Sequence, residues 1–250
     1  MKLTGNTIFI TGGGSGIGRG LAEALHAKGN QVIISGRRTG LLEEVTKANP
    51  GMASVELNVE DPASIADVAK KLVTEFPKLN VLVNNAGIMK MDGVEAEVDD
   101  AAVASIVTTN LLGPIRMTSA LIEHLKRQEN GVVIYVTSGL AFVPLASTAT
   151  YNATKAAIHS FALSQRYLLK DSGVRVLEIA PPYVQTELNG PAQASDPRAM
   201  PLKEFIEETM TVLSTDADEV LVERVGMLRK NPGPNEWEFV TKFNDMMAGH

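Results

Sequence analysis

The feature that most constrains the fold of this chain is a repeated alternation between short β-branched runs and longer segments with apolar residues at helical spacing. Such alternation is typical of βαβ units, which build a parallel sheet with helices on both faces. The β-branched runs are almost continuously apolar, as expected for strands covered on both sides. We predict strands at 7–10, 31–35, 53–57, 81–84, 132–137 and 174–180. The chain is therefore predicted to be an α/β protein with one doubly wound, parallel sheet of six or seven strands.

The regular alternation ends after Pro182. From there as far as Pro201 the sequence is irregular and contains several prolines, which predicts a lid over about 182–213, with an ordinary surface loop as the alternative. A single domain over 1–250 is expected, because 250 residues with 44% hydrophobic content suit one large core. The elements predicted after Pro201 are helices at 202–213, 217–228 and 237–247 and a turn at 231–234.

Composition argues against several classes of function. The formal net charge of −6, the pI near 5.3 and the lack of any run of Lys or Arg argue against a nucleic-acid partner, because phosphate binding depends on clustered cations. Without cysteine, the chain has no disulfide, thiolate nucleophile or Cys-ligated metal. No stretch approaches the ~20 apolar residues of a membrane-spanning helix, so we expect a soluble, cytoplasmic protein. No catalytic metal is predicted, because metal-ligand spacing is absent among His26, His124, His159 and His250.

A glycine-rich loop, with the pattern T-G-x-x-x-G-x-G, joins the first predicted strand to the first predicted helix. Glycines here let the backbone approach a pyrophosphate, and the helix N-terminus that follows favours an anion. In a Rossmann-type sheet this placement predicts a dinucleotide site, with a purely structural turn as the alternative. The predicted cofactor-binding residues in the loop are Thr11, Gly12, Gly14, Ser15, Gly16, Ile17 and Gly18.

Two arginines, Arg37 and Arg38, follow the second predicted strand, where an NAD-specific site usually offers a carboxylate to the ribose 2′-hydroxyl. Guanidinium groups at this position can hold the 2′-phosphate of NADP through charge-assisted contacts. The alternative is that both are solvated residues at the start of a helix. The pair predicts NADP(H), preferred over NAD(H), with Arg37 as the stronger candidate.

Tyr151 and Lys155 open a segment with helical apolar periodicity. Residues four apart lie on one helix face, so the phenol and the ammonium can reach the same site. A free tyrosine has a pKa of ~10, and a nearby ammonium is expected to lower this pKa, which would suit proton transfer. Taken alone, a Y-x-x-x-K pair usually lies on a helix surface.

Several motifs nevertheless occur together, in one order, along about the first 190 residues. They are the glycine loop, Asn84-Asn85-Ala86-Gly87, Asn110, Ser138 and Tyr151-x-x-x-Lys155. This combination resembles the short-chain dehydrogenase/reductase family. The resemblance implies a single Rossmann-type domain, with a cofactor half over about 1–130 and a catalytic and substrate half over about 131–250.

The resemblance implies roles for four residues. Tyr151 would be the general acid in carbonyl reduction and the base in alcohol oxidation. Ser138 would hydrogen-bond the substrate oxygen, and Lys155 would bind the nicotinamide ribose and tune the tyrosine. Asn110 would hold a water that links Lys155 to solvent.

The resemblance also implies contacts outside this set. The implied cofactor contacts, besides the glycine loop and the arginines, are Asn58, Val59, Asn85, Ala86, Gly87, Tyr151, Lys155, Pro181, Val184 and Thr186. Pro182 stands where the family usually has glycine, which stiffens the chain. The implied substrate contacts are Ser138, Gly139, Leu140, Phe142, Tyr151 and Tyr183. Of these, Gly139, Leu140, Phe142 and Tyr183 could equally belong to the core.

The C-terminal sequence departs from the family's pattern. Many members end in a seventh strand and a glycine-rich tail that builds a tetramer interface, and neither is predicted here. A homodimer through 115–125 and 151–169 is expected instead, because both segments carry more apolar residues than one core-facing stripe needs.

Together these features predict an NADP(H)-dependent oxidoreductase that moves a hydride between the nicotinamide and the carbonyl or secondary alcohol of a small molecule. Two alternatives stay open. A 3-oxoacyl-carrier-protein reductase shares the catalytic residues but needs a basic patch for its acidic carrier, which the acidic pI does not favour. A regulator could bind NADP without turnover, although the retention of Tyr151 and Lys155 argues for catalysis.

Overall fold

The computed structural model describes residues 1–92, 94–230, 233 and 236–248. Within them, one parallel sheet lies between two layers of helices, which confirms the α/β, doubly wound architecture predicted from the sequence. Of the predicted turn at 231–234 only Gly233 is described, and His250 lies outside the described residues.

The strands of the described part of the chain are β1 Thr7–Thr11, β2 Gln31–Gly36, β3 Ala53–Glu56, β4 Leu79–Asn84, β5 Gly131–Val136, β6 Val174–Ile179 and β7 Glu219–Val220. They lie in the order β3-β2-β1-β4-β5-β6-β7, and neighbouring strands pair in parallel. The connections reverse direction between β1 and β4, so the loops at their carboxyl ends diverge. Ligands of open α/β sheets bind in the crevice that forms at such a point.

The helices of the described part are α1 Gly16–His26, α2 Thr39–Ala48, α3 Pro62–Glu75, α4 Asp100–Val107, α5 Gly113–Leu125, α6 Ala149–Leu169, α7 Leu202–Leu213, α8 Gly226–Lys230 and α9 Glu236–Ala248. One buried cluster joins α1, α2 and α7 to one face of the sheet, and a second joins α3, α5 and α6 to the other. Strand β1 serves both, because Ile8 and Ile10 point into the first cluster and Phe9 into the second. Across the described residues, no helix combines the length and apolar character needed to cross a membrane.

The predicted helix at 217–228 is wrong. Its first part forms β7, which pairs with the end of β6, and the chain then makes a short 3-10 turn before α8. The backbone groups of β6 account for the difference: the N–H of Glu178 donates to Asp218 O at 2.9 Å and that of Ala180 to Val220 O at 3.3 Å. Hydrogen bonding to a sheet edge has overridden the local helical spacing. A seventh strand therefore exists. It lies upstream of 237–247, the C-terminal segment that is predicted to be a helix.

The segment predicted as a lid, about 182–213, folds into a closed excursion at the carboxyl end of the sheet. Val184 pairs with Met200 in an isolated parallel bridge. The buried Gln193 donates from Nε2 to the Val184 carbonyl oxygen at 2.8 Å. The excursion is thus closed before α7 begins, and its role as a lid stays a prediction.

Candidate active site

The glycine loop runs from the end of β1 into α1 and depends on two close backbone approaches. Gly12 has a φ of +68°, and a Cβ there would lie 2.9 Å from the Cα of Ala86. A Cβ on Gly18 would lie 2.3 Å from the carbonyl oxygen of Gly12, which no real side chain could occupy. Glycine at these two positions therefore lets α1 begin directly against the loop. The helix N-terminus that results favours an anionic ligand at the carboxyl end of β1.

Side chains fasten the ends of β1 and β4 to each other. The hydroxyl oxygen of Thr11 accepts hydrogen bonds from the backbone N–H groups of Asn85 and Ala86, both at 3.0 Å. The Asn85 amide donates to the carbonyl oxygens of Thr11 at 2.9 Å and Gly12 at 3.2 Å. Thr11, Asn85 and Ala86 thus support the glycine loop from within the protein.

The two arginines that follow β2 lie beside the same loop. Arg38 donates from Nη2 to the Ser15 hydroxyl at 3.1 Å, which places it directly against the glycine loop. Arg37 pairs with Glu60 at 3.2 Å, and its side chain is 60% exposed. Both guanidinium groups are therefore accessible at this edge of the sheet. Because of its contact with Ser15, Arg38 is at least as strong a candidate as Arg37 for binding a phosphate group.

The other predicted cofactor contacts reach this edge from neighbouring loops. A Cβ on Gly16 would lie 3.4 Å from the methyl group of Thr186, so the segment after β6 crosses the start of α1. Pro181 accepts a hydrogen bond from the N–H of Gly139 at 2.8 Å. After β3, Asn58 donates its N–H to the Ser64 hydroxyl at 3.1 Å. Two more predicted contacts have protein neighbours: Val59 lies against Gly113, and Val184 pairs with Met200. Their contact with a cofactor stays a prediction.

Tyr151, Lys155, Ser138 and Asn110 converge beyond the carboxyl ends of β4 and β5. Ser138 follows β5 directly and begins a 3-10 turn. Tyr151 and Lys155 lie one turn apart on α6, and each is 5% exposed. The Nζ of Lys155 lies 5.5 Å from the centroid of the Tyr151 ring and donates to the Val136 carbonyl oxygen at 2.8 Å. The helical spacing therefore does place the phenol and the ammonium in one site.

Burial dominates the proton affinity of Tyr151. It raises the pKa of the phenol to about 12, and the neighbouring Ser138 hydroxyl acts in the opposite direction. The expectation of a lowered pKa for this phenol is therefore wrong, because the loss of solvation outweighs the groups that stabilise the phenolate. The phenol keeps its proton at neutral pH, which is the form that a general acid needs.

Burial has the opposite effect on Lys155. It lowers the pKa of the ammonium to about 8, because removal from water disfavours the charged form. The carboxylate of Glu178 counteracts this effect by stabilising the charge. The lysine is thus poised near neutrality, where small changes in its surroundings alter its charge.

Asn110 lies in a π-helical turn between α4 and α5, a local distortion that often marks functional sites. Its amide exchanges two hydrogen bonds with the backbone of Ile88, at 2.8 and 2.9 Å, and donates to the Thr154 hydroxyl at 3.2 Å. A Cβ on Gly87 would lie 3.3 Å from Asn110 Oδ1 and 3.7 Å from Lys155 Nζ, so both side chains border that glycine. The asparagine is thus fixed beside the lysine, and its role in holding a water stays a prediction.

Two of the predicted substrate residues pack against α8. A Cβ on Gly139 would lie 2.7 Å from a methyl group of Leu228, so a side chain at this position would have to displace that leucine. The Phe142 ring meets the His159 ring edge-on at 4.9 Å, and the Arg229 guanidinium lies 4.8 Å from its centroid. Both residues follow Ser138 closely in the chain. Their contacts also fit a purely structural role, so their contact with substrate stays a prediction.

The other two predicted substrate residues differ in their contacts. Tyr183 donates its hydroxyl to Asp196 at 3.1 Å, within the excursion after β6. Leu140 is half-buried in the turn that Ser138 begins. Their contact with substrate stays a prediction.

The sequence analysis missed the contribution of α9 to this region. The Asn244 side chain donates to the Pro144 carbonyl oxygen at 3.0 Å and accepts from the N–H of Ala146 at 2.5 Å. These contacts hold the C-terminal helix on the loop between Ser138 and Tyr151. No local signal marks an asparagine that acts 100 residues away along the chain.

The fold and this arrangement of residues define a class of nicotinamide-dependent oxidoreductases. The model of the short chain dehydrogenase family matches residues 6–197. The chain therefore belongs to the short-chain dehydrogenase/reductase family, as the order of its motifs indicates. It is an oxidoreductase whose fold binds a nicotinamide cofactor.

Three known proteins show the degree of likeness. The chain is 38% identical over 233 residues to the uncharacterized oxidoreductase DltE of Bacillus subtilis (strain 168), with 92% of each chain covered. It is 32% identical over 202 residues to the 3-oxoacyl-[acyl-carrier-protein] reductase FabG of Escherichia coli (strain K12), covering 80% of this chain and 81% of that one. A crystal structure of a short chain dehydrogenase from Burkholderia cenocepacia J2315 in complex with NADP superposes with a TM-score of 0.84 at 27% identity, covering 97% and 98%.

Proposed function

We propose that this chain is an NADP(H)-dependent oxidoreductase that interconverts a small ketone or aldehyde and the corresponding alcohol. The observation that carries the proposal is the buried, protonated phenol of Tyr151 beside the Ser138 hydroxyl, with Lys155 one helical turn away. This arrangement can hold a carbonyl oxygen and give it a proton, without another acid from solution.

The residues at the carboxyl ends of β1 and β2 fit a dinucleotide with a 2′-phosphate. The glycine loop allows the close approach of a pyrophosphate, and Arg38 contacts that loop by a hydrogen bond to the Ser15 hydroxyl. Arg37 presents a second accessible guanidinium. The similar protein from Burkholderia cenocepacia, solved in complex with NADP, supports the same preference. When bound, the nicotinamide would supply the hydride in reduction and accept it in oxidation.

In the direction of reduction, Ser138 and Tyr151 act on the substrate oxygen. The Ser138 oxygen accepts from the N–H of Leu140 at 3.1 Å, so its hydroxyl hydrogen can be directed to the substrate. That hydrogen bond polarises the carbonyl and fixes its position. As the carbonyl carbon gains the hydride, its oxygen takes the phenolic proton of Tyr151, and the product is the neutral alcohol. Oxidation is the same transfer in reverse, with the phenolate as base.

Lys155 then stabilises the phenolate that proton donation leaves behind. Its ammonium, 5.5 Å from the ring centroid, is the nearby positive charge on the same helix face. Asn110 borders the same glycine as the ammonium, and we propose that it holds a water through which a proton returns from solvent. Lys155 and Asn110 would thus restore the proton of Tyr151 for the next turnover.

The negative charge of a loop near the site disfavours an acidic carrier protein as the substrate. The loop after Ile88 runs beside the start of α6, where Asp92 accepts from the N–H of Thr150 at 2.7 Å, and it reaches the excursion through Met91 and Asn189. Its acidic side chains are Asp92, Glu95, Glu97, Asp99 and Asp100. Such a cluster repels an acidic carrier protein. The 32% identity to an acyl-carrier-protein reductase still makes 3-oxoacyl-carrier-protein reduction the second candidate.

A panel of substrates tests these two candidates and the regulator alternative. The protein is mixed with NADPH and, in separate reactions, small ketones, aldehydes and a 3-oxoacyl carrier protein, while the absorbance of the reduced nicotinamide is followed. We expect consumption of NADPH with at least one small ketone or aldehyde, at a higher kcat/KM than with the carrier. Faster turnover of the carrier would support the second candidate, and no turnover on any carbonyl would support a regulator.

The Tyr151→Phe variant tests the role of the phenol directly. Loss of the general acid is expected to lower kcat by about 10²-fold or more, while NADPH binding, followed by fluorescence, stays within about threefold. Tyr167→Phe is the matched control, because Tyr167 lies on the same helix and is 68% exposed. A Tyr151→Phe variant with the activity of the control would refute the proposed proton transfer.

A further inference from the structure

Glu178 is a buried carboxylate within the apolar strand β6. It is 1% exposed, between the apolar residues Leu177 and Ile179. A carboxylate in such surroundings is costly unless hydrogen bonds and an opposite charge compensate it. Thr137 donates from Oγ1 to its Oε1 at 2.7 Å, and Nδ1 of His159 lies 2.7 Å from Oε2 and 3.0 Å from Oε1. Since an ionised carboxylate only accepts hydrogen bonds, Nδ1 carries the proton in this contact.

His159 belongs to the helix that carries the catalytic pair. It follows Lys155 by one helical turn and Tyr151 by two, so the three side chains share one face of α6. The carboxylate of Glu178 therefore meets the same helix face as the active site, one turn further along.

Thr137, the other partner of Glu178, belongs to the chain segment that carries Ser138. It stands between Ser138 and Val136, and the carbonyl oxygen of Val136 accepts from Lys155 Nζ at 2.8 Å. Helix α6 is thus fastened to consecutive residues at the end of β5, once through Lys155 and once through Glu178. These two connections help to hold the helix beside the serine.

The charge of Glu178 also reaches Lys155. The carboxylate opposes the effect of burial on the ammonium, whose pKa is about 8. Of the other charged groups facing Glu178, Arg229 on α8 is compensated by Glu219 on β7, through contacts of 2.8 and 3.0 Å. His159 on α6 directly contacts the carboxylate. Lys155 is therefore a buried cation on which the charge of Glu178 acts.

We propose that Glu178 is a positioning residue for the active site, whose carboxylate, held by Thr137 and His159, keeps Lys155 charged and in place beside Tyr151. The effect on catalysis rests on the proposed carbonyl reduction, whereas the effect on the ionisation of Lys155 does not. The substrate and the cofactor need not contact Glu178.

The Glu178→Gln variant removes the charge while preserving the shape of the side chain. The lysine of the variant should lose its proton at a lower pH, because the charge that favours the ammonium is absent. The alkaline decline of kcat/KM for ketone reduction should then move down by about one pH unit, with activity at acidic pH close to that of the unmodified protein. A purely structural role would lower activity at every pH without moving this decline.

Two comparisons separate the charge of Glu178 from other effects. Asp218→Asn removes an equal charge from the neighbouring loop, where Asp218 pairs with Arg175 at 3.0 Å, and should leave the profile in place. Glu178→Asp keeps the charge and should restore the position of the decline, even if kcat is lower. His159→Gln leaves the carboxylate in place and should not move the decline to lower pH.

A direct titration makes the test independent of turnover. The ionisation of Lys155 is followed by NMR on protein with isotope-labelled lysine, in the unmodified chain and in Glu178→Gln. We expect a lower pKa for Lys155 in the variant, by about one pH unit. If circular dichroism shows that Glu178→Gln is unfolded, Glu178→Met, which fills a similar volume without polar atoms, takes its place.

An unchanged pKa of Lys155 in the Glu178 variants would overturn the proposal, as would an equal shift in Asp218→Asn. Failure of the proposed function is a distinct result. In that case no carbonyl compound is reduced by the unmodified protein, and the NMR titration still decides whether Glu178 controls the charge of Lys155.

Discussion

At the scale of single residues, the pKa values in this site depend more on burial than on local sequence. Tyr151 and Lys155 are both almost inaccessible, and burial moves each toward its neutral form: the pKa of the phenol rises to about 12 and that of the ammonium falls to about 8. Glu178 opposes the change in the lysine. The proton donor is thus ready for reduction, while the lysine depends on its surroundings for its charge.

The cofactor preference is a prediction at the same scale. Replacing Arg37 and Arg38 by Ala should weaken NADPH binding by about tenfold or more, because charge-assisted hydrogen bonds to the 2′-phosphate are lost. The affinity for NADH, which lacks this phosphate, should change by less than about threefold. Titration of protein fluorescence with each cofactor measures both affinities, for the single and the double variants.

Arg19→Ala is the control for the two arginines. Arg19 lies on α1 and pairs with Glu23 and Glu44, both at 2.8 Å, so its loss should affect neither cofactor. Equal losses of NADPH and NADH affinity in the Arg37 and Arg38 variants would show that these residues do not recognise the phosphate.

Among the elements, α6 and α9 organise the substrate side of the site. Helix α6 carries Tyr151 and Lys155 and is joined to β5 through Val136 and Glu178. Helix α9 reaches the loop between Ser138 and Tyr151 through the side chain of Asn244. These contacts of Asn244 link the C-terminal helix to the loop that follows the serine.

Asn244→Ala tests this link. The variant loses the hydrogen bonds to Pro144 and from Ala146, each worth about 1 kcal/mol, so the loop that they hold should become less well positioned. We expect the KM for the ketone to rise several-fold while the KM for NADPH is unchanged. Steady-state kinetics with each substrate varied in turn measures the two constants.

Thr241→Ala serves as the control on the same helix. The Thr241 hydroxyl donates only to the Trp237 carbonyl within α9 among the described residues, so its loss should leave both KM values in place. Equal behaviour of the two variants would mean that the anchoring of α9 does not reach the substrate.

At the scale of the whole molecule, the surface of α6 supports the expectation of a homodimer. Leu163, Tyr167 and Leu168 are 42%, 68% and 79% exposed; Leu163 and Tyr167, four residues apart, share one face of the helix, and Leu168 adjoins it. We expect sedimentation equilibrium at micromolar concentration to give twice the chain mass of 26.7 kDa. A monomeric mass for the unmodified protein would contradict this prediction.

Leu168→Asp should convert the dimer into monomers, because a charge in an apolar interface is costly to desolvate. Met246→Asp is the control: Met246 is 56% exposed on α9, outside the two segments of the predicted interface, and the variant should remain dimeric. Dissociation of both variants would show that the interface is not specific to α6.

Much of this architecture could be predicted from the sequence. The first six strands lie within two residues of the predicted bounds, because strands covered on both sides are continuously apolar. The two-residue strand at Glu219 could not be predicted, because it exists through pairing with β6, about 40 residues earlier in the chain. The helical spacing of Tyr151 and Lys155 indicated a shared face, and the order of the family motifs indicated which other residues join them.

By itself, then, the sequence determined the alternation of strands and helices, the glycine loop, and the placement of Tyr151 and Lys155 on one helix face. These features depend on local periodicity and on the backbone freedom of glycine. Only the tertiary structure decided that burial raises the pKa of Tyr151, that His159 meets Glu178 one helical turn after Lys155, and that Asn244 holds the loop after Ser138. Desolvation and contacts between distant residues are properties of the packed chain, and no local pattern encodes them.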